Sequence, residues 1–198
     1  AYEIVSRDWS SDVCSSDLKT YFDENLQRAV SAFVPAEDFV VSYGTTELES
    51  CPRYTHIMRL YPNEVRKFQN SGFYLDIDLP TPSPEYSEIQ KKKDQLTGAQ
   101  KPTVEYDDRH SILEMHVDYD LPGFEDVDEN GEPTGIALPY IVSIERSSKQ
   151  VLSVRRNWED DDELQRRKSY FTHYKYLPGL GFYGSGLIHL IEIGRAHV

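Results

Sequence analysis

Cysteine, methionine and tryptophan each occur only twice in 198 residues, and basic side chains are outnumbered by acidic ones, 21 to 34. The resulting formal charge of −13 excludes a surface built to grip nucleic acid, since it repels phosphates and offers no basic footprint. A smooth, non-sticking contact with DNA is compatible with the same balance. Long hydrophobic runs are missing too: none approaches the ~20 residues that a spanning helix needs. No Gly-Lys-Ser or Gly-Lys-Thr is present, so the phosphate-cradling loop of a P-loop ATPase is absent.

The two ends are related to each other at the level of DNA. Residues 12–18, Asp-Val-Cys-Ser-Ser-Asp-Leu, can be encoded by GAC GTG TGC TCT TCC GAT CTC. The reverse complement of that string translates as Glu-Ile-Gly-Arg-Ala-His-Val, which is residues 192–198. An inverted repeat at both ends of a reading frame belongs to DNA handling rather than to a fold, and it resembles a common short-read sequencing adapter. Residues 1–18 and 192–198 are therefore expected to be a non-native scar, disordered and outside the folded unit. Five acidic and two basic residues leave with the scar, so −13 shrinks by three to −10, still distinctly acidic. Cys14 leaves as well. Cys51 alone remains, so no intrachain disulfide is expected, and an unpaired thiol fits a reducing cytosol.

Residues 19–191 are about one domain in length. Aromatic and β-branched residues cluster in short alternating runs, which favours strands. Phe39–Tyr43 reads as a strand ending at Gly44, and Tyr54–Leu60 as a second. Pro62 opens a short helix through Phe68 that stops near Gly72. Three prolines at 80–84 precede a helical pattern from Glu85 to Leu96, where the lysines at 91–93 form a solvated face. Ser111–Asp120 alternates cleanly, which predicts Leu113, Met115, Val117 and Tyr119 facing a core and Glu114, His116, Asp118 and Asp120 facing water. Tyr140–Glu145 and Val151–Arg156 form a hairpin pair, Glu159–Lys168 a short exposed helix or turn, and Tyr170–Tyr176 a last strand. The expected class is α+β, a largely antiparallel sheet with a few short helices.

Three patterns bear on chemistry. His110, Glu114, His116 and Asp118 offer nitrogen and oxygen donors, three of them on one strand face, which would suit a divalent metal and a metal-dependent hydrolase. The wet side of any sheet produces the same alternation. Asp126-Val127-Asp128-Glu129-Asn130-Gly131 matches the first half of an EF-hand loop, but Ala137 stands where a bidentate Glu is required, so an acidic turn is the expected reading. Gly179-Leu180-Gly181-Phe182-Tyr183-Gly184 matches a dinucleotide-binding glycine pattern, yet no acidic residue follows at the ribose distance and the preceding strand is not a buried parallel one. Gly179, Gly181, Gly184 and Gly186 read better as a hinge feeding a helix. No cofactor, metal or catalytic residue is assigned.

The run Arg155-Arg156-Asn157-Trp158, Arg166-Arg167-Lys168 and Tyr170 through Ile191 resembles portal (head-to-tail connector) proteins of short-tailed bacteriophages. Pro35–Val41, Tyr43–Thr46, Cys51–His56, Glu114–His116 and Leu138–Val142 fit the same family, so the resemblance spans residues 19–191. Two departures stand out: Ser185 replaces a usual aromatic residue, and Glu192 follows Ile191 where the family continues through glycines into a long helix. The resemblance implies a non-enzymatic, structural ring subunit, a dodecamer in most of the family, at one capsid vertex of the virion and made in the host cytoplasm. It implies a DNA conduit for packaging and ejection, without sequence-specific binding. The partners implied are further copies of the chain, a terminase motor, scaffolding and coat proteins, tail adaptors and double-stranded DNA, with no membrane. This stretch would be part of the sheet-rich wing, interrupted as it leads into the next helix.

Overall fold

The computed structural model describes residues 15–23, 27–82, 109–175 and 182–183. Eight strands form two antiparallel sheets. Strands β1 (Ser15–Asp23), β2 (Arg28–Val34) and β8 (Phe171–Lys175) build a three-stranded sheet in the order β2-β1-β8. Strands β3 (Phe39–Val41), β4 (Arg53–Leu60), β5 (His110–Tyr119), β6 (Leu138–Glu145) and β7 (Val151–Arg156) build a five-stranded sheet in chain order. Among the described residues the helical content is α1 (Pro62–Asn70) and a 3-10 turn at Ala36–Asp38, so the α+β class holds with strands dominating.

Local chemistry explains the boundaries. Pro62 occupies the first turn of α1, where a missing N–H costs nothing, and the Tyr61 N–H donates to Glu64 Oε2 at 2.8 Å. Gly72, at φ +74°, ends the helix by turning the chain left-handed, which lets the amides of Phe73 and Tyr74 reach Phe68 O. A register shift between Ser143 and Ile144 marks an irregularity in the β6–β7 ladder beside Leu152, which is fully buried. The segment 159–168 is a pair of turns rather than a helix. The Asp162 carboxylate accepts from the amides of Leu164 and Arg166 and from Arg166 Nε, satisfying locally the groups that a helix would have used.

One face of the five-stranded sheet is covered in two places. At one end Val34, Phe39, Cys51, Tyr54, Phe171 and Phe182 form an aromatic cluster with the smaller sheet. At the other end Val65 and Tyr74 from α1 and the segment after it close over Ile112 and Leu152. That segment is tied to β7, with the Leu75 N–H donating to Leu152 O at 2.8 Å and Arg155 lying over the Phe73 ring.

The fold corrects two expectations. Ser15–Leu18 were expected to be disordered, yet they extend β1 and pair with β2 and β8. Ladder hydrogen bonds read the backbone, so a run without proline can extend a strand edge whatever its origin. The facing of β5 is also inverted: His110, Ile112, Glu114 and His116 point inward and are buried, while Leu113, Met115 and Val117 lie half-exposed on the outside and Tyr119 is exposed. Alternation separates two faces but does not say which is covered, and here the covering sheet supplies partners for the polar side. The expected helix at 85–96, residues 1–14, the segment 192–198 and all four hinge glycines fall outside the described residues.

A buried polar seam between two sheets

The inward register of β4 and β5 sets His56 opposite Glu114 and Tyr54 opposite His116. From the smaller sheet, β1 aims Lys19 at the same place. Its Nζ reaches Glu114 Oε1 at 2.6 Å and Oε2 at 2.8 Å, spanning 95 residues of sequence. Glu114 Oε1 also receives His116 Nε2 at 3.1 Å. The His116 ring stacks on Tyr54, centroids 4.8 Å apart and 15° between planes, and meets Phe171 edge-on.

Charge states follow from this geometry. Burial alone would raise the Glu114 carboxyl, but the His116 hydrogen bond and the Lys19 charge outweigh it and hold the group near about 2. Burial lowers His116, against the pull of Glu114, so the ring is neutral at pH 7. Neutral His116 therefore donates from Nε2, Lys19 is the true counter-ion, and Nδ1 is the atom left without a partner. His56 is pushed down to about 4 by burial first and by Lys19 second. Tyr54 is pushed up to about 12, chiefly by burial. Beyond Tyr54, Arg167 bridges Asp118 and Cys51 O, closing the seam.

The four donors singled out in the sequence are thus divided among different partners. Glu114 and His116 belong to the seam, Asp118 to Arg167, and His110 Nδ1 lies 3.9 Å from Glu145 Oε1. No group of three or more His, Cys, Asp or Glu gathers at metal-holding distances among the described residues. Lys19, His56, Tyr54 and Arg167 were not legible as partners, because each lies on another strand or loop. The one available signal was a lysine inside the apolar run Leu18–Phe22.

The two remaining motifs have structural explanations. In the EF-hand-like stretch, Asp128 Oδ1 accepts from the amides of Asn130 and Glu132, Gly131 takes φ +83°, and Val127 pairs with Pro133. This is the expected acidic turn, a small hairpin locked by its own carboxylates. Of the glycine pattern, Phe182 and Tyr183 are described. Phe182 is buried and stacks on His173 at 4.0 Å, and the Tyr183 hydroxyl donates to Phe39 O at 2.6 Å. This aromatic pair packs against the core.

The seam ties the two sheets together through Lys19 and Glu114. A carboxylate held by an ammonium and an imidazole has its lone pairs committed, and the Cys51 thiol is committed too, donating to Arg53 O at 2.9 Å. No protein-family model matches the chain, and no curated protein is detectably similar to it.

Proposed function

We propose that residues 19–191 are a segment of the wing of a phage portal subunit, a structural component of the ring through which DNA enters and leaves the capsid and to which the tail attaches. The observation that carries this is the long sequence resemblance from Arg155 to Ile191. Three features support it. The α+β, largely antiparallel architecture agrees with a sheet-rich wing. The polar interior is spent on holding two sheets together, which is what a mechanically loaded ring subunit needs. An acidic exterior would weaken sticking of DNA during passage.

The test is to recover the contiguous gene on both sides, express its complete product, and measure its mass and its negative-stain images. Dodecameric rings are the expected result. A monomer carrying stoichiometric metal would overturn the proposal in favour of a hydrolase.

A further inference from the structure

Of the asparagines in the sequence, Asn25, Asn63, Asn70, Asn130 and Asn157, one is followed by glycine, and that is Asn130. An asparagine amide is open to attack by the main-chain nitrogen of the next residue, and glycine, with no Cβ, leaves that approach clear. Asn130-Gly131 stands at the tip of the hairpin between β5 and β6, where residues 127–137 are exposed throughout. Asn63, Asn70 and Asn157 are less suited. They precede Glu64, Ser71 and Trp158, and Asn157 is buried as well.

The turn holds both reacting groups. Gly131 N–H donates to Asp128 O at 3.0 Å, and Asn130 Nδ2 donates to Asp128 Oδ2 at 3.2 Å. Asp128 Oδ1 accepts the amides of Asn130 at 2.8 Å and of Glu132 at 2.9 Å. These amides, that of Glu132 first, hold the Asp128 carboxyl below its usual range, and the Gly131 amide contributes. An ionised carboxylate beside the Gly131 amide opposes loss of its proton, which the attack requires. On either side Asp128 N–H donates to Glu132 O and Thr134 N–H to Asp126 O, both at 2.9 Å. Turning the Asn130 side chain onto the Gly131 nitrogen therefore requires the tip to open.

We propose that Asn130 is a site of spontaneous deamidation and that the Asp128 carboxylate guards it by holding the turn closed. The deprotonated Gly131 nitrogen attacks Asn130 Cγ, so that the N–Cγ bond forms, the Cγ–Nδ2 bond breaks and ammonia leaves with a proton from solvent. Water then opens the resulting succinimide at either carbonyl, giving aspartate or isoaspartate. Both products add a negative charge to residues 120–137, which already carry six acids and no base. Isoaspartate also inserts a methylene into the main chain between Val127 and Pro133, whose pairing closes the hairpin. The hairpin meets the core through Tyr140, whose hydroxyl donates to Phe124 O at 3.3 Å. The modification therefore alters an exposed tip without reaching the seam.

The experiment incubates the full chain and two variants, Asp128→Ala and Glu129→Ala, in mildly alkaline buffer, both folded and in concentrated urea. The proteolytic peptide containing Asn130 is followed by mass and by isoaspartate content. Each variant removes one carboxylate from the tip, but Glu129 holds none of the amides that Asp128 does. Folded Asp128→Ala deamidates about tenfold faster than the wild type, the factor for losing hydrogen bonds to a charged group, while Glu129→Ala matches the wild type. In urea all three react at one fast rate, and at Asn130 first. Equal folded rates for the wild type and Asp128→Ala overturn the guarding role, as does equal acceleration in the two variants. A wild type that reacts as fast folded as in urea overturns it without reference to either variant. An unfolded chain that loses ammonia at another asparagine before Asn130 overturns the site itself.

Discussion

The two faces of β5 invite comparison, since they alternate along the same ten residues and do opposite things. The inner face carries Glu114 and His116 and is buried, while the outer carries Leu113, Met115 and Val117 and is half-exposed. Hydrophobicity alone assigns these faces the wrong way round. Burial is governed by what lies opposite, and here the neighbouring sheet sets an ammonium, Lys19, against the carboxylate of Glu114. The inner face accordingly holds the fold together, while Leu113, Met115 and Val117 on the outer face stay half-exposed.

The sharpest way to break this comparison is to remove the carboxylate. Glu114→Ala leaves Lys19 and His116 without their partner and should cost about 3–5 kcal/mol, read as a fall in the urea midpoint. The neighbouring Met115→Ala on the outer face should cost about 1 kcal/mol or less, since little burial is lost. Replacing Lys19 and Glu114 together by Met and Leu should recover much of the loss, because the desolvation cost leaves with the pair. Equal losses at 114 and 115 would erase the distinction between the faces.

A purely apolar pair makes the second contrast. Ile112 is fully buried against Leu152, Val65 and Tyr74, so Ile112→Ala should cost about 2–4 kcal/mol, while Leu113→Ala, one residue on, should cost a fraction of that. Thermal melts of the two variants suffice. A larger effect at Leu113 would mean that the outer face is already occupied within the chain.

Much of this architecture was legible from residue patterns. Alternation located β3 through β8 within a few residues, and Pro62 and Gly72 bracketed α1 because each residue meets a specific backbone need. β1 and β2 were not legible. Ser15-Ser16-Asp17-Leu18 shows no strand pattern and reads as part of a scar, and Arg28–Val34 pairs with β1 alone, chiefly with Lys19–Asp23. The seam was half legible: its carboxylate and imidazole stood out on β5, but their counter-ion lies 95 residues away, and no local pattern records such a pairing.

pH sharpens the comparison further, because the titrating groups of the seam sit on the inner face. Glu114 is depressed from 4.5 to about 2, so its contribution is complete above pH 4.5 and is lost as pH falls through about 2. His56 is depressed from 6.5 to about 4. Buried as the neutral ring, it contributes fully above pH 6.5 and loses that contribution as pH falls through about 4. Acid destabilisation should therefore begin near pH 6.5, driven by histidine, and continue below pH 4.5 through Glu114. His56→Leu should make the first limb shallower, by up to about 3 kcal/mol, leaving the share of His116, and spare the second. Stability curves from pH 7 to pH 3 separate the two, and an unchanged first limb in His56→Leu would remove His56 from the seam's pH response.

The smallest expected effect concerns the residue whose origin is most in question. Asp17 is fully buried and accepts no partner at Oδ2, while Oδ1 lies 2.8 Å from His173 Nδ1. Burial raises its carboxyl above 3.8 despite that histidine. A raised folded value means that Asp17 favours the fold below pH 3.8 and loses that contribution as pH rises, so at neutral pH the buried carboxyl is a burden. Asp17→Asn keeps an oxygen for His173 and removes the charge. It should match or exceed the wild type by up to about 1 kcal/mol at pH 7, with the gap closing in acid. That outcome makes the buried carboxylate dispensable to the fold, in contrast to Glu114, whose two oxygens are both engaged. A loss of several kcal/mol would instead make the Asp17–His173 pair a native strut and restore β1 in full to the protein.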